Sequence, residues 1–371
     1  MIPQCNPHAN YAGNRAEINA AIQRVLDSKN YILGEEVTEF EKEFAAFTGT
    51  AYAVSVANGT DALALALRAA GIRRGDWVAT ASLTASATGA AIDMAGARPV
   101  FIDISPTTYT LDPARLVETL TADHDRRIKA VVPVHLYGAP AEMKAILQIA
   151  EQFGVLVIED AAQAHGAKWS QAKVGSGGLA GAFSFYPTKN LGAIGDGGCV
   201  TTNSESFADE LRVLRQYGWK HRYDSRTKGV NSRLDELQAA ILRVKLLKLD
   251  GDNAKRAAIA AKYIAGLGNA GFQLPIEHEG AESVWHQFVI RRPDRDKCRQ
   301  FLAEHGVSTL VHYPVPLHLQ GAWSDCSECG VGGLEHTEHA CGEILSLPIY
   351  PELDADDVER VIELLVEYRL P

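Results

Sequence analysis

No stretch of this sequence has the length and apolarity of a bilayer-spanning helix. The first residues, Met1 to Arg15, are polar and lack the apolar centre of a secretory leader. A cytoplasmic protein with no membrane partner is expected. Cysteine is sparse, with six in 371 residues, mostly scattered. That excludes a disulfide-built scaffold and suits reduced thiols in a reducing compartment. Positive charge is in deficit as well. The formal net charge of -10 argues against wholesale nucleic-acid binding. An anionic small ligand held by a local basic patch stays compatible with it. Neither an internal repeat nor a low-complexity tract occurs.

What is present is ample apolar material. Hydrophobic residues make up 46% of the chain, enough for one large core and a smaller second one. Short apolar runs bounded by turn residues recur at 52–56, 77–81, 99–104, 130–135, 155–160, 182–186 and 199–202. Their continuous apolar character predicts strands buried on both faces. Helix-like segments fall between them, at 60–70, 84–95 and 141–153. This alternation predicts an α/β fold with a mostly parallel central sheet flanked by helices. Residues 232–249 read as one long helix, with Ser232 and Asp235 as a capping-box pair. The chain then changes character. A large domain is expected over 1–249 and a smaller C-terminal α/β domain over 250–371.

Three segments carry chemistry. Val155-Leu-Val-Ile-Glu-Asp160 is an apolar strand ending in carboxylates. Ligands of open α/β sheets sit beyond strand carboxyl ends, so Asp160 is placed to face a site. A carboxylate there can hold a pyridine nitrogen protonated. Gly181-Ala-Phe-Ser-Phe-Tyr-Pro-Thr-Lys189-Asn-Leu-Gly192 sets a lysine between an apolar strand and glycines. Partial burial lowers an amine's pKa and suits it to imine formation with an aldehyde. Val54-Ser-Val-Ala-Asn-Gly59-Thr60-Asp-Ala-Leu runs from strand through turn to helix. The free N–H groups of such a first turn can hold a phosphate. Each segment alone also has an ordinary reading, as a capping aspartate, a loop lysine or a common strand–Gly–helix junction.

Their order and spacing resemble fold type I enzymes that use pyridoxal phosphate (PLP). More specifically, the chain resembles the nucleotide-sugar aminotransferases of the DegT/DnrJ/StrS family. The matching segments are Asn58-Gly-Thr-Asp-Ala-Leu63, Pro133-Val-His-Leu-Tyr-Gly138, Ile158-Glu-Asp-Ala-Ala-Gln-Ala-His-Gly166, Phe183-Ser-Phe-Tyr-Pro-Thr-Lys-Asn-Leu-Gly192 and Asn231-Ser-Arg-Leu-Asp-Glu-Leu-Gln-Ala-Ala240. Tyr31-Ile-Leu-Gly34 and Leu345-Ser-Leu-Pro348 extend the match over nearly the whole chain.

The resemblance implies a role for each matching position. Lys189 would form the Schiff base with PLP and later shuttle the proton. Asp160 would pair with the ring nitrogen, and Gln163 with the ring oxygen. Gly59, Thr60 and Ser184 would hold the phosphate. Asn231 would reach the phosphate of a neighbouring subunit, so a homodimer with sites at the interface is implied. Tyr31, His165 and Tyr186 would lie near the sugar, as would His312 and His318 from the segment His312-Tyr-Pro-Val-Pro-Leu-His318-Leu-Gln320. The family often has an aromatic residue after Thr84, where it can stack on the cofactor ring. Here that residue is Ala85.

Residues 212–228 hold Arg212, Arg215, Lys220, Arg222, Arg226 and Lys228, with Asp224 the only acid. A basic island in an acidic protein suggests an anion site for a nucleotide diphosphate or for glutamate's carboxylates. A solvated basic loop is the plain alternative. The resemblance places this loop, with Lys220, at a subunit interface. Cys326, Cys329, His336, His339 and Cys341 mimic a zinc ligand set. A PLP aminotransferase needs no metal, and none is expected.

The activity implied is transfer of glutamate's amino group to a nucleotide-linked keto-sugar. C-3 of a dTDP-3-keto-6-deoxyhexose is favoured by the 231–240 and 312–320 segments. C-4 amination or a UDP-sugar remains an alternative. Sugar dehydratases of the same family replace the lysine with histidine, whereas Lys189 is present here. A non-catalytic PLP-binding regulatory protein is the alternative from another class.

Overall fold

The computed structural model describes residues 1–324 and 328–368. Eight strands form the central sheet: β1 (Tyr52–Val56), β2 (Trp77–Ala81), β3 (Arg98–Ile102), β4 (Ile128–Val132), β5 (Leu156–Asp160), β6 (Ala180–Ser184), β7 (Gly198–Thr202) and β8 (Glu328–Cys329). Their spatial order is β1-β7-β6-β5-β4-β2-β3-β8. All neighbours run parallel except β7, which is antiparallel to both β1 and β6. The sheet is therefore mostly parallel, as the sequence predicts. One reversed strand has a consequence for the site. Gly198 of β7 pairs with both Val56 and Ser184, so the carboxyl ends of β1 and β6 emerge side by side.

The helix Gly59–Ala69 follows β1 at once and buries Ala62 through Leu67. Its Ala–Leu alternation gives an apolar surface all round, as a helix enclosed on both sides requires. Phe40 and Phe44 project from the helix Glu35–Thr48 and meet Phe183 and Phe185. Phe44 lies edge-on to both of these rings, at 5.0 and 5.3 Å between centroids. This aromatic floor supports the chain as it leaves β6 toward Lys189.

A separate apolar cluster joins Ile259, Tyr263 and Phe288 to Leu345, Val361 and Leu365. Two segments cross the expected boundary at 249/250. Ile2 packs in the C-terminal cluster and bridges to Val307. Conversely, β8 adds to the edge of the central sheet, and Ala340, Cys341 and Ile344 pack into that sheet's core.

The expected single helix over 232–249 is two helices, Glu236–Leu246 and Leu249–Leu267. Ser232 does not cap. Its hydroxyl donates to Asp61 Oδ2 at 2.6 Å and accepts the Ala57 N–H at 3.0 Å. Committed to the β1 turn, it cannot serve a helix that begins four residues on. The zinc-like cluster falls partly on Cys326, which lies outside the described residues. Cys329 is exposed on β8 and Cys341 is buried in the core. Among the described residues, no group of three or more His, Cys, Asp or Glu side chains converges on a metal position.

Candidate active site

A cavity of about 550 Å³ opens at the carboxyl edge of the sheet, where open α/β sheets bind ligands. Its wall includes Asn58, Gly59, Thr60, Thr84, Ala85, Asp160, Gln163, Ser184, Tyr186 and Lys189. Seven residues from the sequence reading thus meet on one wall: Gly59, Thr60, Asp160, Gln163, Ser184, Tyr186 and Lys189.

The phosphate-type cup is local in origin. Asn58 caps its helix by accepting the Asp61 N–H on Oδ1 at 2.8 Å. The N–H groups of Gly59 and Thr60 are then the first-turn donors left for an anion. Glycine at 59 is dictated by crowding. A Cβ there would lie 2.5 Å from Ser184 Cβ. The close approach of β1 and β6 therefore brings the Ser184 hydroxyl to the same cup.

Lys189 follows β6 in a tight loop, its N–H donated to Tyr186 O at 2.8 Å. Gly192 closes that loop, since a Cβ there would meet Pro187 O at 2.4 Å. Burial pushes the Lys189 amine down to about 8, against the opposing pull of the Asp160 carboxylate. An amine in that range is nucleophilic near neutral pH. Asp160 ends β5 at 8% exposure. Its backbone is fixed by bonds from His135 N–H to its carbonyl and from its own N–H to Pro133. Gln163 is held at both ends. Its Oε1 accepts the Tyr137 N–H at 2.8 Å, and its Nε2 donates to Tyr313 Oη at 3.0 Å. One amide proton of Gln163 is left for a ligand.

These groups fit PLP. The cup accepts a phosphate, the strand-end carboxylate accepts a protonated ring nitrogen, and the amine answers an aldehyde. Ala85 lies on the wall where an aromatic residue could stand. Among the described residues, no aromatic side chain other than Tyr186 lines the cavity.

A model of the DegT/DnrJ/EryC1/StrS aminotransferase family matches residues 13–366. The chain belongs to this family. It is 45% identical over 368 residues to a dTDP-3-amino-3,4,6-trideoxy-alpha-D-glucose transaminase of Streptomyces venezuelae, covering 99% of this chain and 96% of that one. It is 43% identical to a protein of Geobacillus stearothermophilus named a pleiotropic regulatory protein, covering 99% and 98% of the two chains. The structure of S. venezuelae DesV in complex with a ketimine intermediate superposes with a TM-score of 0.96, at 44% identity, covering 100% and 99% of the two chains.

Other residues expected near the sugar lie off the aminotransferase's cavity wall. His165 is fully buried and packs against the Phe183 and Phe185 rings, 5.5 and 5.8 Å between centroids. Burial, then the Lys189 charge, pushes it down to about 3. The ring sits in the aromatic floor and does not line the cavity. His318 accepts or donates at Ser82 Oγ, 2.7 Å away, and pairs with Glu338 at 3.3 Å. It ties its segment to the end of β2. His312 meets Ser346 Oγ at 2.8 Å and, pushed down to about 4 by burial and Lys189, stays neutral beside the amine. Tyr31 is 52% exposed, and its hydroxyl donates to Leu26 O. Asn231 and Lys220 are exposed and do not line this cavity.

The basic island is not one site. Arg215 is buried, pairing with Glu41 at 2.5 Å and donating to Ser55 O at 2.8 Å. It pins β1 to the Glu35–Thr48 helix. Arg212 and Arg226 pair with Asp209 and Asp224. Lys220 and Arg222 remain exposed around the ribbon formed by Trp219–His221 and Asp224–Ser225. Sequence reasoning missed Asp196 on the wall, Thr88 behind Asp160, and Tyr137 and Tyr313 on either side of Gln163. Tyr137 and Tyr313 lie in segments that match the family, and their grip on Gln163 becomes visible only in the fold.

Proposed function

We propose that this aminotransferase uses PLP to move the amino group of L-glutamate to a nucleotide-linked keto-sugar, at C-3 of a dTDP-3-keto-6-deoxyhexose. The observation that carries the reading is Lys189, an amine at about 8, sharing one cavity with Asp160 and the Gly59–Thr60–Ser184 cup. PLP supplies an aldehyde that captures amines and a pyridinium ring that takes up an electron pair. The chain's own residues do the rest. The Gly59 and Thr60 N–H groups and the Ser184 hydroxyl bind the phosphate. Asp160 accepts from the ring nitrogen, and the spare Gln163 proton reaches the ring oxygen. Lys189, once freed, would take the proton from glutamate's α-carbon, and water would then replace the nitrogen there, so that 2-oxoglutarate departs and the nitrogen stays behind with the cofactor. In the second half Lys189 would deliver a proton to the sugar carbon whose ketone oxygen has left as water and been replaced by the nitrogen taken from glutamate. Tyr186, exposed on the wall, borders the sugar.

The working unit in this proposal is a homodimer. Among the described residues, the wall carries Asp61, Asp160 and Asp196 against a single cation, Lys189. A phosphate, a nucleotide diphosphate and glutamate's carboxylates all need more positive charge than that. Asn231, Lys220 and Tyr31 are exposed away from their own cavity and free to complete the site of a second copy. The S. venezuelae transaminase acts, by its name, on a 3-amino sugar of the dTDP series. That supports C-3 over C-4 or a UDP-sugar.

The test is incubation of the holoenzyme with glutamate and dTDP-3-keto-6-deoxyhexose, reading 2-oxoglutarate and the amino-sugar. Product with the C-4 ketone only corrects the carbon. The name of the Geobacillus relative raises a regulatory role. Failure to aminate any keto-sugar in a panel, with PLP bound, would favour that role.

A further inference from the structure

Asp160 is held from a side that its own segment does not reveal. Oδ1 accepts the Ala162 N–H at 3.2 Å. Oδ2 accepts the Thr88 hydroxyl at 2.8 Å. Thr88 is fully buried in the first turn of the helix Ser86–Met94. Its oxygen lies 2.9 Å from Thr84 Oγ1. A hydroxyl has one proton to give. With the Thr88 proton committed to Asp160, Thr84 must be the donor between the two threonines. The chain therefore runs one way, from Thr84 at the cavity wall, through Thr88, to the Asp160 carboxylate.

We propose that Thr88, seated by Thr84, is a positioning residue that aims the Asp160 carboxylate at the ring nitrogen of the bound cofactor. The inference rests on the reading of Asp160 given above. A carboxylate at a strand end can turn about two side-chain bonds. The Ala162 N–H restrains one oxygen and Thr88 the other, so the remaining lone pairs point where the wall is open. Removing the hydroxyl leaves a nearly buried oxygen without its donor, the costly case for a charged group.

The experiment uses full-length Thr88→Val, Thr88→Ser and Asp160→Asn proteins. Pyridoxamine phosphate is the probe, because it binds without a bond to Lys189. Its affinity is read by fluorescence, and its ring protonation by the chemical shift of a ¹⁵N-labelled ring nitrogen. Thr88→Val is expected to weaken binding by about tenfold and to move the ring nitrogen toward its neutral shift. Thr88→Ser restores both. Wild-type affinity and shift in Thr88→Val, with both lost in Asp160→Asn, overturn the role of Thr88 and leave Asp160 standing. Wild-type values in Asp160→Asn overturn both readings. Should Thr88→Val fail to fold by circular dichroism, Thr88→Ala is measured in its place. A folded variant without the hydroxyl and with wild-type readouts overturns the proposal.

Discussion

Around Asp160 and Lys189 the cavity wall comes from one chain, from the ends of β1, β2, β4, β5 and β6 and the loops that leave them, the last of which carries Asp196. Around the expected sugar position, one chain supplies little. Tyr31, Lys220 and Asn231 stand exposed elsewhere, and His165 and His318 are spent on packing and anchoring. The cofactor half is built on rigid strand ends, and the substrate half depends on loops. In a family that takes different sugars, this division lets the substrate change without disturbing the lysine and its partners.

The sharpest break between the halves is Lys189→Ala. It removes both the nucleophile and the proton shuttle, and amino transfer should fall about 10³-fold or more. Measurable turnover at the wild-type rate would end the assignment. Hybrid dimers address the other half. A Lys189→Ala chain paired with an Asn231→Ala chain should regain activity that neither homodimer has, because one of its two sites is whole. No recovery in isolated hybrids would mean that each chain completes its own site.

The pH dependence sharpens the cofactor half alone. The Lys189 amine, at about 8, reacts only when unprotonated. The rate of PLP capture by the cofactor-free protein should rise with pH and level off above about 8. The Asp160 carboxylate favours the charged amine, so Asp160→Asn should move this break to lower pH. A shift upward would contradict the geometry. The smallest effect belongs to His165→Phe. Its ring is buried among Phe183 and Phe185, so the KM for the sugar should change by no more than about twofold. A tenfold rise would return His165 to the substrate half.

Legibility in the sequence followed the same division. Asp160 could be read because an apolar strand that stops at a carboxylate exposes it at the sheet edge. Lys189 alone also had the ordinary reading of a loop lysine, and the resemblance of its order and spacing with Asp160 and Gly59–Thr60 to a known family singled it out. The 232–249 helix was misread because Ser232 has two possible partners, and only the fold brings Asp61 within 2.6 Å. Arg215 was misread for the same reason. In a list of basic residues it resembles its neighbours, and in the structure Glu41 neutralises it inside the core.

By itself, the sequence determined the alternation of buried strands and helices and the strand–turn–helix junction at Gly59 and Thr60. These follow from periodicity and local turn chemistry, which adjacent residues decide. The tertiary structure decided what holds those groups. Thr88 reaches Asp160, Tyr137 and Tyr313 grip Gln163, and β7, by running backward, brings Ser184 against Gly59. Each is a contact between segments far apart in the chain, set by how the sheet is ordered and not by any pattern along it.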